Sequence, residues 1–273
     1  MGSPIIRVLS DVHYADKSSR VRNLEQLRPL FAGATSLVFN GDTLDTRPSD
    51  HPGETEKARR EIQEFLQSAG IPFTLLTGNH DPDLSAVDSL EFADGQVLVT
   101  HGDVLFDNIV PWSKHAHMIR TKVIAALAAL PEGESSQFEG RLKAFRVVSA
   151  SLPQTHQMEK NPFKHAIRLA GDTVWPPHRF FSMVSAWNEA PERAATLARR
   201  HRPKARFVMI GHTHRPGVWK TPSGVVVINT GSFCKPFGAM SVDITPDKVR
   251  VNRLVTKKGA FHQGAVVAEF PLS

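Results

Sequence analysis

Five apolar runs in this sequence end in acidic, amide or imidazole side chains. "IIRVLSD" (Ile5 to Asp11) is followed at once by His13, and "SLVFNGD" (Ser36 to Asp42) leads to Asp45. "FTLLTGNHD" closes on Asn79, His80 and Asp81, "QVLVTHGD" on His101 and Asp103, and "RFVMIGHTH" on His212 and His214. Short runs rich in aliphatic and β-branched residues and ended by polar residues read as strands. Strands that alternate with helices build a layered α/β frame. In open α/β sheets, functional groups gather beyond the carboxyl ends of the strands. A chain of this pattern therefore brings all five endings to one rim.

Three further runs extend the frame. They are Val225 to Ser232, and the pair Met240 to Thr245 and Val249 to Leu254, which the turn "TPDK" joins as a hairpin. Ala265 to Leu272 is expected as an edge strand. A helix is expected over Gly53 to Gly70, with Ile62, Phe65, Leu66 and Ala69 on one face and Gly70 as the stop.

The segment 104–206 has a different texture. Trp112, Ala116, Ile119, Val123, Leu127 and Leu130 recur at helical spacing, and so do Phe138, Leu142, Phe145 and Leu152. "HRFFSMVSAWNE" and "APERAATLARRHRP" are two more helix candidates. The expected organisation is a core made of 1–103 and 207–273, interrupted by a mainly helical insertion at 104–206. The last helix of the insertion leads back into the strand at Arg206.

Charge separates the two parts as well. From Val104 to Arg206 there are 16 Lys and Arg against 8 Asp and Glu, while the remainder holds 17 against 19. A basic block of this kind suits an anionic partner: a phosphorylated substrate, lipid headgroups or, with less support, nucleic acid. The one cysteine, Cys234, excludes an internal disulfide and any multi-cysteine metal site. The stretch "MGSPIIRVLSDVH" shows no signal-peptide pattern, and "VIAALAAL" is too short to span a bilayer. A cytoplasmic protein is expected, with peripheral contact at the inner face of the membrane through the basic insertion.

Of the 13 histidines, seven lie outside the insertion, and five of those seven sit in the strand-ending motifs. That concentration points to a metal site. The candidate ligands are Asp11, His13, Asp42, Asn79, His101, His212 and His214. Carboxylates, an amide oxygen and imidazoles without thiolates suit manganese, iron, zinc or magnesium. Seven ligands exceed the needs of one ion. Two divalent ions about 3.5–4 Å apart, sharing a carboxylate, would use them all.

In this order, "DVH", "GDTLD", "GNHD", "HGD" and "GHTH" resemble the calcineurin-like metallophosphoesterase superfamily. The resemblance implies a four-layer α/β/β/α sandwich, here with a helical cap. It also implies hydrolysis of a phosphoester or pyrophosphate by in-line attack of a metal-bridging hydroxide. Carried across, Asp11, His13 and His214 would bind one ion, manganese or in its place iron, zinc or magnesium. Asn79, His101 and His212 would bind the other, with Asp42 as the bridge. His80 would assist the leaving oxygen, oriented by Asp81. Asp45 and Asp103 are expected to support ligands or turns. Arg215 is a candidate for a substrate phosphate, and Thr230, Gly231 and Ser232 for a loop beside the site.

The outline of the insertion and the spelling "GHTHRP" are similar to the UDP-2,3-diacylglucosamine diphosphatases. That group carries Arg where this chain has His80. UDP-2,3-diacylglucosamine is the leading single substrate. The alternatives are a nuclease or a nucleotide or cyclic-nucleotide phosphodiesterase, and a non-catalytic interaction protein on the same fold, which is expected to lack ligands.

Overall fold

Alternate residues along the central strands face different apolar layers, as the two-residue period of a strand requires. In the computed structural model, which describes residues 3–154 and 177–272, this alternation builds a four-layer sandwich. The first sheet contains β1 (Ile6–Leu9), β2 (Ser36–Asn40), β3 (Phe73–Leu76), β9 (Met240–Ile244), β10 (Lys248–Lys257) and β11 (Ala260–Pro271). The second contains β4 (Ser89–Phe92), β5 (Val97–Thr100), β6 (Phe207–Ile210), β7 (Gly217–Lys220) and β8 (Val226–Asn229). Their orders are β11-β10-β9-β1-β2-β3 and β4-β5-β6-β8-β7.

Val8, Val38 and Leu76 meet Val97, Val99, Phe207, Met209, Val226 and Ile228 between the sheets. Their neighbours Leu9, Leu37, Phe39 and Leu75 face outward. They are covered by α1 (Pro52–Ser68), through Ala58, Ile62, Phe65 and Leu66, and by the 3₁₀ helix Leu24–Phe31. On the opposite side, Leu98, Val208, Ile210, Val225 and Val227 are covered by α2 (Ala116–Ala128), α3 (Phe138–Ala150) and α4 (Pro177–His201). β1, β2 and β3 are mutually parallel, as are β5, β6 and β8. Their carboxyl ends therefore share a rim within each sheet.

The hairpin β9–β10 forms on "TPDK", with the Thr245 N–H donating to Lys248 O at 2.9 Å. The final run is an edge strand, and it starts earlier than expected, at Ala260. Lys258 (φ 49°) and Gly259 (φ 80°) make the two-residue turn that feeds it, and left-handed residues match the twist of a tight hairpin. β4 and β7 were not expected from the sequence. Both are edge strands whose residues are mostly half-buried, so they lack a clear apolar signal.

The two helix candidates around Trp187 form one continuous helix, α4, despite Pro191 within it. A proline inside a helix forfeits a hydrogen bond and crowds the preceding turn, at a cost of roughly 3 kcal/mol. The buried stripe Ala186, Ala190, Ala194 and Ala198 offsets this by packing the helix against the second sheet, with Pro191 buried in the same face. The apolar stripes expected at 104–154 also face inward: Ile119, Val123, Phe138, Leu142, Phe145 and Leu152 are all in that layer. Positions 155–176 of the basic segment lie outside the described residues. Among the described residues no helix is long and apolar enough to cross a membrane.

Candidate metal centre

The strand endings are contorted as well as polar. Asp11 (φ 50°), His13 (47°), Asp42 (51°), His212 (62°) and His214 (59°) all have left-handed backbone conformations. Such residues are uncommon and collect at functional sites. Hydrogen bonds between motifs hold them in place: Asp11 N–H to Gly41 O at 3.1 Å, His13 N–H to Asp42 O at 3.0 Å and Gly211 N–H to His101 O at 2.9 Å.

The motif glycines have a steric reason. A Cβ on Gly41 would lie 2.5 Å from His101 Nδ1, and one on Gly211 would lie 2.1 Å from Asp11 Oδ2. The backbone must pass directly under both side chains. Gly211→Ala is therefore expected to displace the Asp11 carboxylate and weaken Mn²⁺ binding by at least ~10-fold, the lower end of what disturbing a ligand's support costs. Calorimetric titration checks this, and unchanged affinity would mean that Asp11 does not hold a metal here.

Two ligand groups result, and they share Asp42. One ligand atom from each of Asp11, His13, Asp42 and His214 can be chosen so that all lie within 4.8 Å of one another, and the same holds for Asp42, His101 and His212. His214 Nε2 is 3.2 Å from Asp11 Oδ1 and 3.1 Å from His13 Nε2. Asp42 Oδ2 is 3.3 Å from His101 Nε2 and 3.7 Å from His13 Nε2. Asn79 joins the second group through its Oδ1, 2.7 Å from His212 Nδ1. All seven expected ligands are thus brought together.

The ring nitrogens facing the centre are fixed by the nitrogens facing away. His101 Nδ1 donates to Asn40 O at 2.9 Å, and His212 Nε2 to Ile109 O at 2.8 Å. This leaves His101 Nε2 and His212 Nδ1 facing the centre, the usual way a backbone carbonyl orients a metal-binding imidazole. Among the described residues His101 Nε2 is buried without a hydrogen-bond partner, an arrangement that costs free energy unless something else fills the coordination. Burial pushes His13 down to about 4 and His212 down to about 3, so both rings are neutral, as a metal ligand must be. On donor chemistry and geometry the residues fit a divalent metal centre.

The sequence pattern of the calcineurin-like phosphoesterases matches residues 5–216. The chain belongs to the calcineurin-like phosphoesterase family. No curated protein matches in sequence. Similar solved structures include a dimetal phosphatase from Danio rerio (14% identity, 100% of this chain and 99% of that one, TM-score 0.49). Others are Vacuolar Protein Sorting 29 from Cryptosporidium parvum (12%, 98% and 98%, TM-score 0.42) and a predicted phosphoesterase from Streptococcus pneumoniae (14%, 99% and 99%, TM-score 0.37).

Around this family core, several side chains are placed in ways the sequence did not indicate. Asp81 was expected to orient His80. Its buried carboxylate instead accepts the backbone N–H groups of Asp42 (2.9 Å), Gly78 (2.7 Å) and Thr43 (2.6 Å). The carboxylate facing His80 is that of Asp45, with Oδ2 3.1 Å from Nδ1. Burial opposes ionisation of Asp45, but the charges of His80 and Arg47 outweigh it and hold the carboxyl below its usual range. Arg47 is 8% exposed. It grips Asp45 through Nε (3.0 Å) and Nη2 (2.7 Å), and its Nη2 also reaches His80 Nδ1 at 2.9 Å.

Asp103 begins a short 3₁₀ turn, and burial pushes its carboxyl up to about 6 against the pull of His101. Arg215 is held by Asn188 Oδ1 at 3.0 Å and lies over the Trp187 and Trp219 rings. The "NTGS" loop supports Asp11: Ser232 Oγ donates to Asp11 O at 3.2 Å, and Thr230 Oγ1 meets Ser10 Oγ at 2.5 Å. Burial pushes the Cys234 thiol up to about 12, so it is inert. Aromatic rings border the imidazoles. Trp112 lies 5.7 Å from His212, Phe237 lies 5.9 Å from His214, and Trp187 Nε1 donates to Thr213 O at 2.8 Å. Trp112 and Trp187 were visible in the sequence only as members of apolar patterns, and Phe237 carried no signal there.

Proposed function

We propose that this chain is a two-metal phosphohydrolase that cleaves a phosphoester or pyrophosphate bond. The observation that carries the proposal is the pair of buried ligand groups meeting at Asp42. In this reading Asp11, His13 and His214 hold one ion, Asn79, His101 and His212 the other, and Asp42 both. When bound, the ions supply Lewis acidity and an activated water. The absence of thiolates favours manganese, with iron, zinc and magnesium also suited. No ligand position is empty, which speaks against a purely non-catalytic role.

His80 supplies the proton. Its ring centroid is 4.9 Å from that of His13, beside the ligands rather than among them. With Nδ1 turned to Asp45, Nε2 is the nitrogen left to serve the leaving oxygen. Burial and Arg47 lower the basicity of this ring, but Asp42 and Asp45 prevail and raise it above its ordinary value. The protonated form is thereby favoured.

For the substrate, UDP-2,3-diacylglucosamine is the leading candidate. Phe180 (42% exposed) and Phe181 (68% exposed) present apolar surface on a basic segment, a combination suited to an anionic amphiphile at a cytoplasmic membrane face. A nucleotide or nucleic-acid phosphodiester is the second reading. It is favoured by Trp112 and Phe237 beside the ligand imidazoles, where a base would stack.

Protein loaded with Mn²⁺ is expected to hydrolyse bis(p-nitrophenyl) phosphate and to stop when a chelator is added. No turnover by metal-loaded protein on this or any other phosphoester would overturn the proposal. Rapid UMP release from UDP-2,3-diacylglucosamine would identify the lipid substrate. Cleavage of the chromogenic diester without UMP release would direct the search to nucleotides, with a steep salt dependence if the substrate is a nucleic acid.

A further inference from the structure

We infer that Gln154 is a positioning residue for the His80 acid, acting through the loop Asp45 to Pro48. The inference rests on the phosphohydrolase reading given above. Gln154 follows α3, on the chain between β5 and β6, more than a hundred residues from that loop. Its side chain is 5% exposed. Nε2 donates to Asp45 O at 2.8 Å and to Arg47 O at 2.9 Å, and the Gln154 N–H donates to Pro48 O at 2.9 Å. One residue thus grips three of the four carbonyls of the loop, those of Asp45, Arg47 and Pro48.

The inner side of the same loop carries the contacts to His80. Thr46 N–H donates to His80 O at 2.8 Å, Asp45 Oδ2 lies 3.1 Å from His80 Nδ1, and Arg47 Nη2 lies 2.9 Å from the same nitrogen. Nδ1 cannot serve both side chains at once. As N–H it donates to Asp45; as a lone pair it accepts from Arg47. Which arrangement holds depends on fine placement of two side chains whose own carbonyls Gln154 fixes.

The choice of glutamine fits this task. Its amide nitrogen offers two donors to two carbonyls without adding charge beside Arg47, whereas a glutamate would offer only acceptors. Its Oε1 makes no hydrogen bond among the described residues, so the contacts of the amide there are those of Nε2.

The test is a double-mutant cycle. Gln154→Met keeps the shape and removes the donors. In Mn²⁺-loaded protein it is expected to lower kcat on an alkyl phosphoester, whose leaving oxygen needs the proton, about tenfold, the scale of a lost supporting contact. KM and metal content should stay unchanged, while Tm falls because the Asp45 and Arg47 carbonyls lose their donor. In a His80→Ala background the same substitution should change kcat less than about twofold, because the group it acts through is gone. An equal loss in both backgrounds would show a merely structural effect and overturn the proposal, as would unchanged kcat in Gln154→Met. If Gln154→Met fails to fold, Gln154→Asn, which keeps the amide but shortens its reach, carries the same test. The ¹⁵N shifts of the His80 ring supply a readout independent of turnover. They should move in Gln154→Met, and unmoved shifts would sink the idea even if the wild-type protein cleaves no phosphoester. Inactive wild-type protein whose His80 shifts do respond would instead count against the phosphohydrolase reading alone.

Discussion

Asp42→Asn is expected to abolish turnover, lowering kcat/KM by roughly 10³-fold or more, since removing even one preorganised stabilising group costs about 10²–10³. Asp42 is 1% exposed and is the residue common to both ligand groups. Its two oxygens have separate tasks. Oδ1 accepts the His80 N–H at 2.8 Å, and Oδ2 faces His101 Nε2 at 3.3 Å. Asparagine can keep the oxygen that His80 needs. It then turns an NH₂ toward His101 Nε2, which has no hydrogen-bond partner among the described residues. The variant should therefore remain folded in the absence of metal while losing the carboxylate that both ions would share. Metal analysis alongside kinetics separates the possibilities: folded, metal-poor and inactive protein supports a shared bridge, and full activity would sink the two-metal assignment.

His80→Ala should behave differently. His80 is outside both ligand groups, so the metal content should equal that of the wild type. Asp45 and Arg47 remain paired with each other at 2.7 Å, so the loop keeps its anchor. What is lost is the proton donor, and kcat is expected to fall about 10²–10⁴-fold, the usual contribution of a positioned acid. The loss should shrink for substrates with good leaving groups, which need little protonation. Measuring kcat for a nitrophenyl ester against an alkyl ester tests this, and an unchanged kcat for both would exclude the role given to His80.

Much of the centre was legible in the sequence because each motif is local. An apolar run followed within a few residues by Asp, Asn or His needs no knowledge of the fold to be seen. Parallel strands then carry the endings to a common rim. Asp81 shows where this reading fails. It adjoins His80 in the chain and so looked like its partner, yet its carboxylate turns back to the N–H groups of Gly78, Asp42 and Thr43. The partner is Asp45, from the loop after a different strand. Arg47 and Gln154 were missed for the same reason: an arginine near "GDTLD" and a glutamine after a helix carry no local signal.

The helical segment divides along the same line. Periodicity placed Ile119, Val123, Phe138 and Phe145 on helical stripes, but did not show what those stripes would meet. The structure packs them on the outer face of the second sheet. The sequence by itself determined the strands that end in the motifs, the candidate ligand types and their order, since strand period and strand-end chemistry are written over stretches of about ten residues. The tertiary structure alone decided which carboxylate meets His80, which amide grips the loop behind it and which surface the helices cover. Those choices depend on contacts between segments tens of residues apart, and a local pattern holds no record of them.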